Sequence, residues 1–104
     1  MVSEKSDVFA FGVVLMEILS GLPALENDGR AEPMLARRGY RMVTNNRYEE
    51  FADERLDGRY DREQFKVVAD VARMCCETDP ANRPTMLKVA DMLVETAYVA
   101  SRRK

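Results

Sequence analysis

The sequence has no histidine and no tryptophan, and its two cysteines, Cys75 and Cys76, are adjacent. Neighbouring cysteines cannot staple distant loops, and they lack the two-residue gap of a zinc knuckle or a redox pair. With no histidine beside them, no transition-metal site follows, and the carboxylates lack the spacing of a calcium loop. A reduced, cytoplasmic interior fits these thiols best. The glycines Gly12, Gly21, Gly29, Gly39 and Gly58 stand too far apart to cradle a phosphate with backbone amides. No apolar run approaches the ~18 residues of a membrane span. The opening Met1-Val-Ser-Glu-Lys-Ser-Asp7 lacks the charged-then-apolar order of a secretory signal, so direct membrane contact is not expected. The net charge of -2 comes from interspersed acids and bases and gives no broad basic field, which argues against a nucleic-acid partner. The terminal run Arg102-Arg103-Lys104 reads as the complement of a helix dipole.

What is present is apolar periodicity. From Ser6 to Ser20, apolar residues cover every face of a 3.6-residue helix, which makes that helix central. A buried strand is the competing reading, and the run is too long for one. Ser6 or Asp7 is placed to cap the first turn, and Gly21 followed by Pro23 supplies the stop. Gly12, inside the helix, costs about 1 kcal/mol relative to alanine, which implies a close approach by a neighbour. Residues 21 to 33 read as a loop with Asn27-Asp28-Gly29 as its turn. Met34 to Thr44 forms a short helix against the opposing signals of Gly39 and Arg37-Arg38, and residues 48 to 56 carry only a loose pattern.

A further helix starts near Tyr60 and Asp61. Phe65, Val68, Ala69, Ala72, Cys75 and Cys76 make its apolar face, so packing alone accounts for both thiols. Asp79-Pro80-Ala81-Asn82-Arg83-Pro84 interrupts it, because each proline removes a donor and restricts the residue before it. Thr85 then caps a last helix whose inner face reads as Met86, Val89, Ala90, Leu93, Ala97 and Ala100. The expected fold is all-α, with about four helices, the last two over 61–77 and 85–100.

Three strings carry a resemblance. They are Lys5-Ser-Asp-Val-Phe-Ala-Phe-Gly-Val-Val-Leu-Met-Glu-Ile-Leu-Ser-Gly21, then Leu56-Asp-Gly-Arg-Tyr60, then Ala72-Arg-Met-Cys-Cys-Glu-Thr-Asp-Pro-Ala-Asn-Arg-Pro-Thr-Met86. In order and spacing they resemble the lower part of the helical lobe of eukaryotic protein kinases, helices F to I, and most closely plant receptor-like serine/threonine kinases. The likeness spans residues 1–104, with 3–21 as the helix F region. It is weak from 30 to 50, where the tryptophan common in the family's helix G is absent.

The resemblance implies three structural anchors. Asp7 resembles the helix F aspartate that holds the backbone of the catalytic loop, and Gly12 completes the family's Asp-x-x-x-x-Gly pattern. Arg83 resembles the arginine that pairs with the glutamate of the Ala-Pro-Glu motif. A complete kinase also needs a glycine-rich loop, a strand lysine, the His-Arg-Asp loop, Asp-Phe-Gly and Ala-Pro-Glu, with ATP and magnesium as cofactors. None of those strings occurs here. Glu49-Glu50 and Asp53-Glu54 read as a solvated face, not an acid–base pair.

The chain is therefore expected to have no catalytic, cofactor or metal residues of its own and to be a kinase fragment, inactive alone. Its expected partner is the missing remainder of the domain, and its apolar first helix, wet on one side, predicts a loosely packed or aggregation-prone monomer. The alternative is a non-catalytic interaction module that docks another kinase or a scaffold. Periodicity alone also permits an unrelated four-helix domain. Parent receptor-like kinases are often at the plasma membrane with the kinase domain facing the cytosol.

Overall fold

A computed structural model describes residues 4–24 and 34–102, with side chains up to residue 97. The expected turn at Asn27-Asp28-Gly29, the side chain of Ala100 and the terminal basic run lie outside the described residues and side chains. Among the described residues the secondary structure is helical: α1 (Glu4–Ser20), α2 (Met34–Thr44), α3 (Tyr48–Phe51), α4 (Arg62–Cys75) and α5 (Met86–Arg102). Two 3₁₀ turns, Glu54–Leu56 and Pro80–Asn82, complete it. The all-α expectation holds, with one helix more than foreseen.

α1 is under way at Glu4, so Ser6 and Asp7 lie inside its first turn and do not cap it. It ends where the sequence says it should. Gly21 takes φ +71° and its amide donates to the Glu17 carbonyl at 2.9 Å. A Cβ at Gly21 would fall on the Asp53 carboxylate, 2.2 Å from Oδ2. The stop is thus fixed twice, by backbone conformation and by the acid packed over it.

α1 and α4 lie against each other and separate two apolar clusters. In the first, Val13 and Met16 of α1 meet Leu35, Ala36 and Val43 of α2, Phe51 of α3, Phe65, Ala69 and Ala72 of α4, and Cys76 just past its end. In the second, Val8 of α1 meets Val71 and Cys75 of α4 and Val89 of α5, with Phe11, Leu15 and Met92 at the margin. Alternate faces of α4 serve the two clusters, which is why its apolar stripe is broad.

Two helix starts match their sequence signals. Asp61 accepts from the Gln64 amide at 2.9 Å, and Thr85 accepts from the Lys88 amide at 3.1 Å. Each cap satisfies a donor that the first turn of a helix leaves open. α4 stops at Cys75, two residues before the expected end, ahead of the Asp79-Pro80 break.

The face of α5 is turned relative to the reading. Val89 is buried and Met92 and Leu93 are half-buried, whereas Met86, Ala90 and Ala97 are exposed. Alanines pack acceptably on either side of a helix, so they mark its inner face poorly; the larger Met92 decides it.

α3 was not legible as a helix because it is one turn long. It is held from outside: Phe51 is buried in the first cluster, and the Tyr48 hydroxyl donates to Asp70 Oδ1 of α4 at 2.7 Å. Burial, then the Asp70 carboxylate, pushes the Tyr48 hydroxyl up to about 12 from its ordinary 10.0. A raised folded value means the protonated form is favoured in the native state. That contribution is complete below pH ~10 and is lost as pH rises toward ~12. Tyr48→Phe is expected to cost about 1 kcal/mol at neutral pH. Its stability should also fall less steeply than the native chain's between pH 10 and 12, as read by urea unfolding at stepped pH.

Candidate functional site

The N-terminal half of α1 carries two different surfaces. One faces α4, and Gly12 is the point of closest approach. A Cβ there would lie 2.6 Å from Cys75 Cβ, 2.8 Å from Cys76 Sγ and 3.1 Å from the Ala72 carbonyl oxygen. The neighbour implied by an internal glycine is therefore the end of α4, through the Ala72 carbonyl, the Cys75 Cβ and the Cys76 sulfur just past it. Burial pushes the Cys75 thiol up to about 11, so the thiolate is strongly disfavoured and the residue is a packing group.

The other surface points away from the clusters. Asp7, Ala10, Val14 and Ile18 follow the i, i+3, i+7, i+11 spacing and are all exposed, Val14 by 47% and Ile18 by 68%. No described residue donates to the Asp7 carboxylate. The result is a row of apolar side chains headed by one unengaged acid.

Beside this row, the first turn of α1 is tied to the loop between α4 and α5. Arg83 donates from Nε to the Glu77 carbonyl at 2.7 Å, from one terminal nitrogen to the Lys5 carbonyl at 3.0 Å and from the other to the Thr78 carbonyl at 3.4 Å. Its guanidinium lies 4.8 Å from the centre of the Phe9 ring. In return Lys5 Nζ donates to the Arg83 carbonyl at 2.5 Å, and Glu4 Oε1 accepts from the Met86 amide at the head of α5, at 3.3 Å. Arg83 thus bonds three carbonyls and no described carboxylate. A guanidinium suits this use, because its planar fork can serve several acceptors while its face rests on an aromatic ring.

Of the three sequence-derived anchors, Asp7 and Arg83 flank the same turn of α1 without bonding each other, and Gly12 sits on the opposite surface against α4. Glu4, Lys5 and Phe9 were missed as parts of this junction. Their partners lie 74 to 82 residues away in sequence, and no local pattern announces such contacts.

Chemically, the arrangement can seat a backbone or an apolar side chain. Among the described residues no group of three or more histidine, cysteine, aspartate or glutamate side chains is placed to hold a metal ion. No described helix is long and apolar enough to cross a membrane.

Residues 1–93 match the family model for protein tyrosine and serine/threonine kinases. The chain belongs to this kinase family. Among curated relatives, the receptor-like serine/threonine-protein kinase NCRK of Arabidopsis thaliana is 36% identical over 107 residues, covering 98% of this chain and 19% of that protein. A PTI1-like tyrosine-protein kinase of the same plant is 42% identical over 96 residues, covering 88% of this chain and 26% of the relative. The receptor-like cytosolic serine/threonine-protein kinase RBK2, also from Arabidopsis thaliana, is 33% identical over 99 residues, covering 90% of this chain and 20% of its own length. The chain thus spans from about a fifth to about a quarter of these relatives, and its helices are those of the lower part of a kinase helical lobe.

Proposed function

We propose that this chain is the helical floor of a protein kinase domain and transfers no phosphate by itself. The observation that carries the reading is the outward row of α1. Asp7, Ala10, Val14 and Ile18 are wet on a helix whose other faces are packed, as a surface made to be covered would be. The proposed cover is the remainder of a kinase domain, and ATP and magnesium would be held by that remainder. Phosphoryl transfer depends on positioning and charge stabilisation by groups that this sequence does not contain, so nothing is left here to lower the barrier. A cytoplasmic setting follows from the same reading and from the reduced thiols.

The purified chain, incubated with labelled ATP, magnesium and a mixed serine, threonine and tyrosine peptide library, is expected to give no labelled peptide above buffer. Transfer that persists through successive purification steps would overturn the proposal. A second reading, docking of another kinase or a scaffold on the same row, would show as a stoichiometric complex whose formation leaves phosphate transfer at zero.

Because the row is apolar and uncovered in the isolated chain, it should drive self-association. Ile18→Lys is expected to raise the soluble concentration several-fold while moving stability by no more than about 0.5 kcal/mol, since the side chain is already mostly in water. Light scattering and thermal unfolding of the two proteins, measured side by side, check both halves of this expectation.

A further inference from the structure

We infer that the outer face of α2 is a docking groove for an acidic peptide segment with an apolar anchor residue. The groove has a volume of about 390 Å³ and lies between the end of α1 and α2. Its apolar wall includes Leu22, 42% exposed, Pro23, and Met34, 45% exposed. Its other wall is Arg37, Arg38 and Arg41, all exposed.

Among the described residues Arg37, Arg38 and Arg41 are grouped without an ion-paired carboxylate, a state that Arg59 and Arg83 share only singly. Arg47, Arg55, Arg62 and Arg73 each face a carboxylate, on Glu50, Asp53, Glu49 and Glu77 respectively. No described residue brings a carboxylate within ion-pair distance of Arg37, Arg38 or Arg41. Three like charges within five residues repel one another, and on a chain of net charge -2 they form a local field opposite to the overall sign. An anionic ligand relieves that repulsion. The adjoining apolar wall asks for an uncharged side chain between the acids, a demand that a free anion cannot meet. An extended acidic peptide with one leucine or phenylalanine meets both, with charge governing encounter and the anchor governing residence.

The groove's lining includes none of Asp7, Ala10, Val14 or Ile18, so peptide binding here and the seating of a kinase remainder on the α1 row are tested by different residues. The test is fluorescence anisotropy of the purified chain with a labelled peptide of eight glutamates interrupted by one central phenylalanine, run at several salt concentrations. Saturable binding that weakens with salt is expected. Replacing all three arginines (Arg37→Gln, Arg38→Gln, Arg41→Gln) should weaken it roughly tenfold or more, with far-UV circular dichroism and unfolding midpoint unchanged. Leu22→Ser with Met34→Ser should weaken it roughly tenfold while leaving its salt dependence in place.

Equal binding of a peptide with lysine in place of every glutamate would overturn the inference, as would no binding at millimolar chain. So would binding that appears only after Glu26, Asp28 and Glu32 are changed to amides, which would make the chain's own acids the occupant. Binding to vesicles containing phosphatidylserine with none to the peptide would assign the arginines to a membrane surface and equally overturn it.

Discussion

Gly12→Val is expected to destabilise the chain by about 3 kcal/mol or more, enough to lower the unfolding midpoint by at least about 12 °C for a domain of this size. The first added atom alone would lie 2.6 Å from Cys75 Cβ and 3.1 Å from the Ala72 carbonyl. Neither atom is the far end of a flexible side chain, so relief requires α4 to move away from α1. Among the described elements those two helices share the most extensive contact, and both contribute to each cluster, so moving one loosens the other contacts as well.

Gly39→Ala is the informative comparison. There the added Cβ meets Met16 Sδ at 2.5 Å and Phe51 Cζ at 3.0 Å. The thioether can change rotamer, and alanine recovers about 1 kcal/mol of helix propensity, so the net change should stay within about 1 kcal/mol. Urea unfolding of both variants checks the contrast. Equal effects would mean that the α1–α4 contact is no tighter than the α1–α2 contact.

Arg83→Met is the second large effect, at about 2–3 kcal/mol. Methionine keeps most of the aliphatic stem but removes the donors that reach the carbonyls of Lys5, Glu77 and Thr78, and the cation over Phe9. Partial solvent access lets water reach those carbonyls, which holds the loss below that of a sealed site. Arg83→Lys separates charge from shape. A compact ammonium cannot serve three carbonyls in a fan or lay a flat face on the ring, so it should restore less than half of the loss. Full recovery with lysine would show that only the charge matters. Hydrogen exchange should localise the Arg83→Met damage to the first turn of α1 and the head of α5, since Glu4 and Lys5 make the reciprocal bonds there.

The sequence made much of this fold legible because local signals and tertiary demands agree. Asp61 and Thr85 cap the helices they precede or open, and Gly21 ends α1 with the positive φ that its position suggests. Gly39 looked like an argument against α2, yet it is the place where Met16 and Phe51 press on the helix; an internal glycine reads as a breaker until its neighbour is known. α3 escaped because four residues cannot show a period, and its stability comes from Asp70 and the first cluster. The face of α5 is poorly legible because its alanines fit an inner or an outer position equally well. The Arg83 junction was half legible. The residue stands out by resemblance, which implies a glutamate of an Ala-Pro-Glu motif that this sequence does not contain; the bonds of the guanidinium to backbone carbonyls and its contact with an aromatic ring carry no sequence signal.

The wet row on α1 is proposed as the seat for the rest of a kinase domain. The most direct measurement is phosphate transfer to peptide by a purified kinase-domain piece ending at its Ala-Pro-Glu motif, as this chain is titrated in. Each component alone should give none, transfer should rise and saturate on mixing, and Asp7→Ala should abolish the rise. Transfer by this chain alone, or no transfer on mixing despite a stable complex, would contradict the claim.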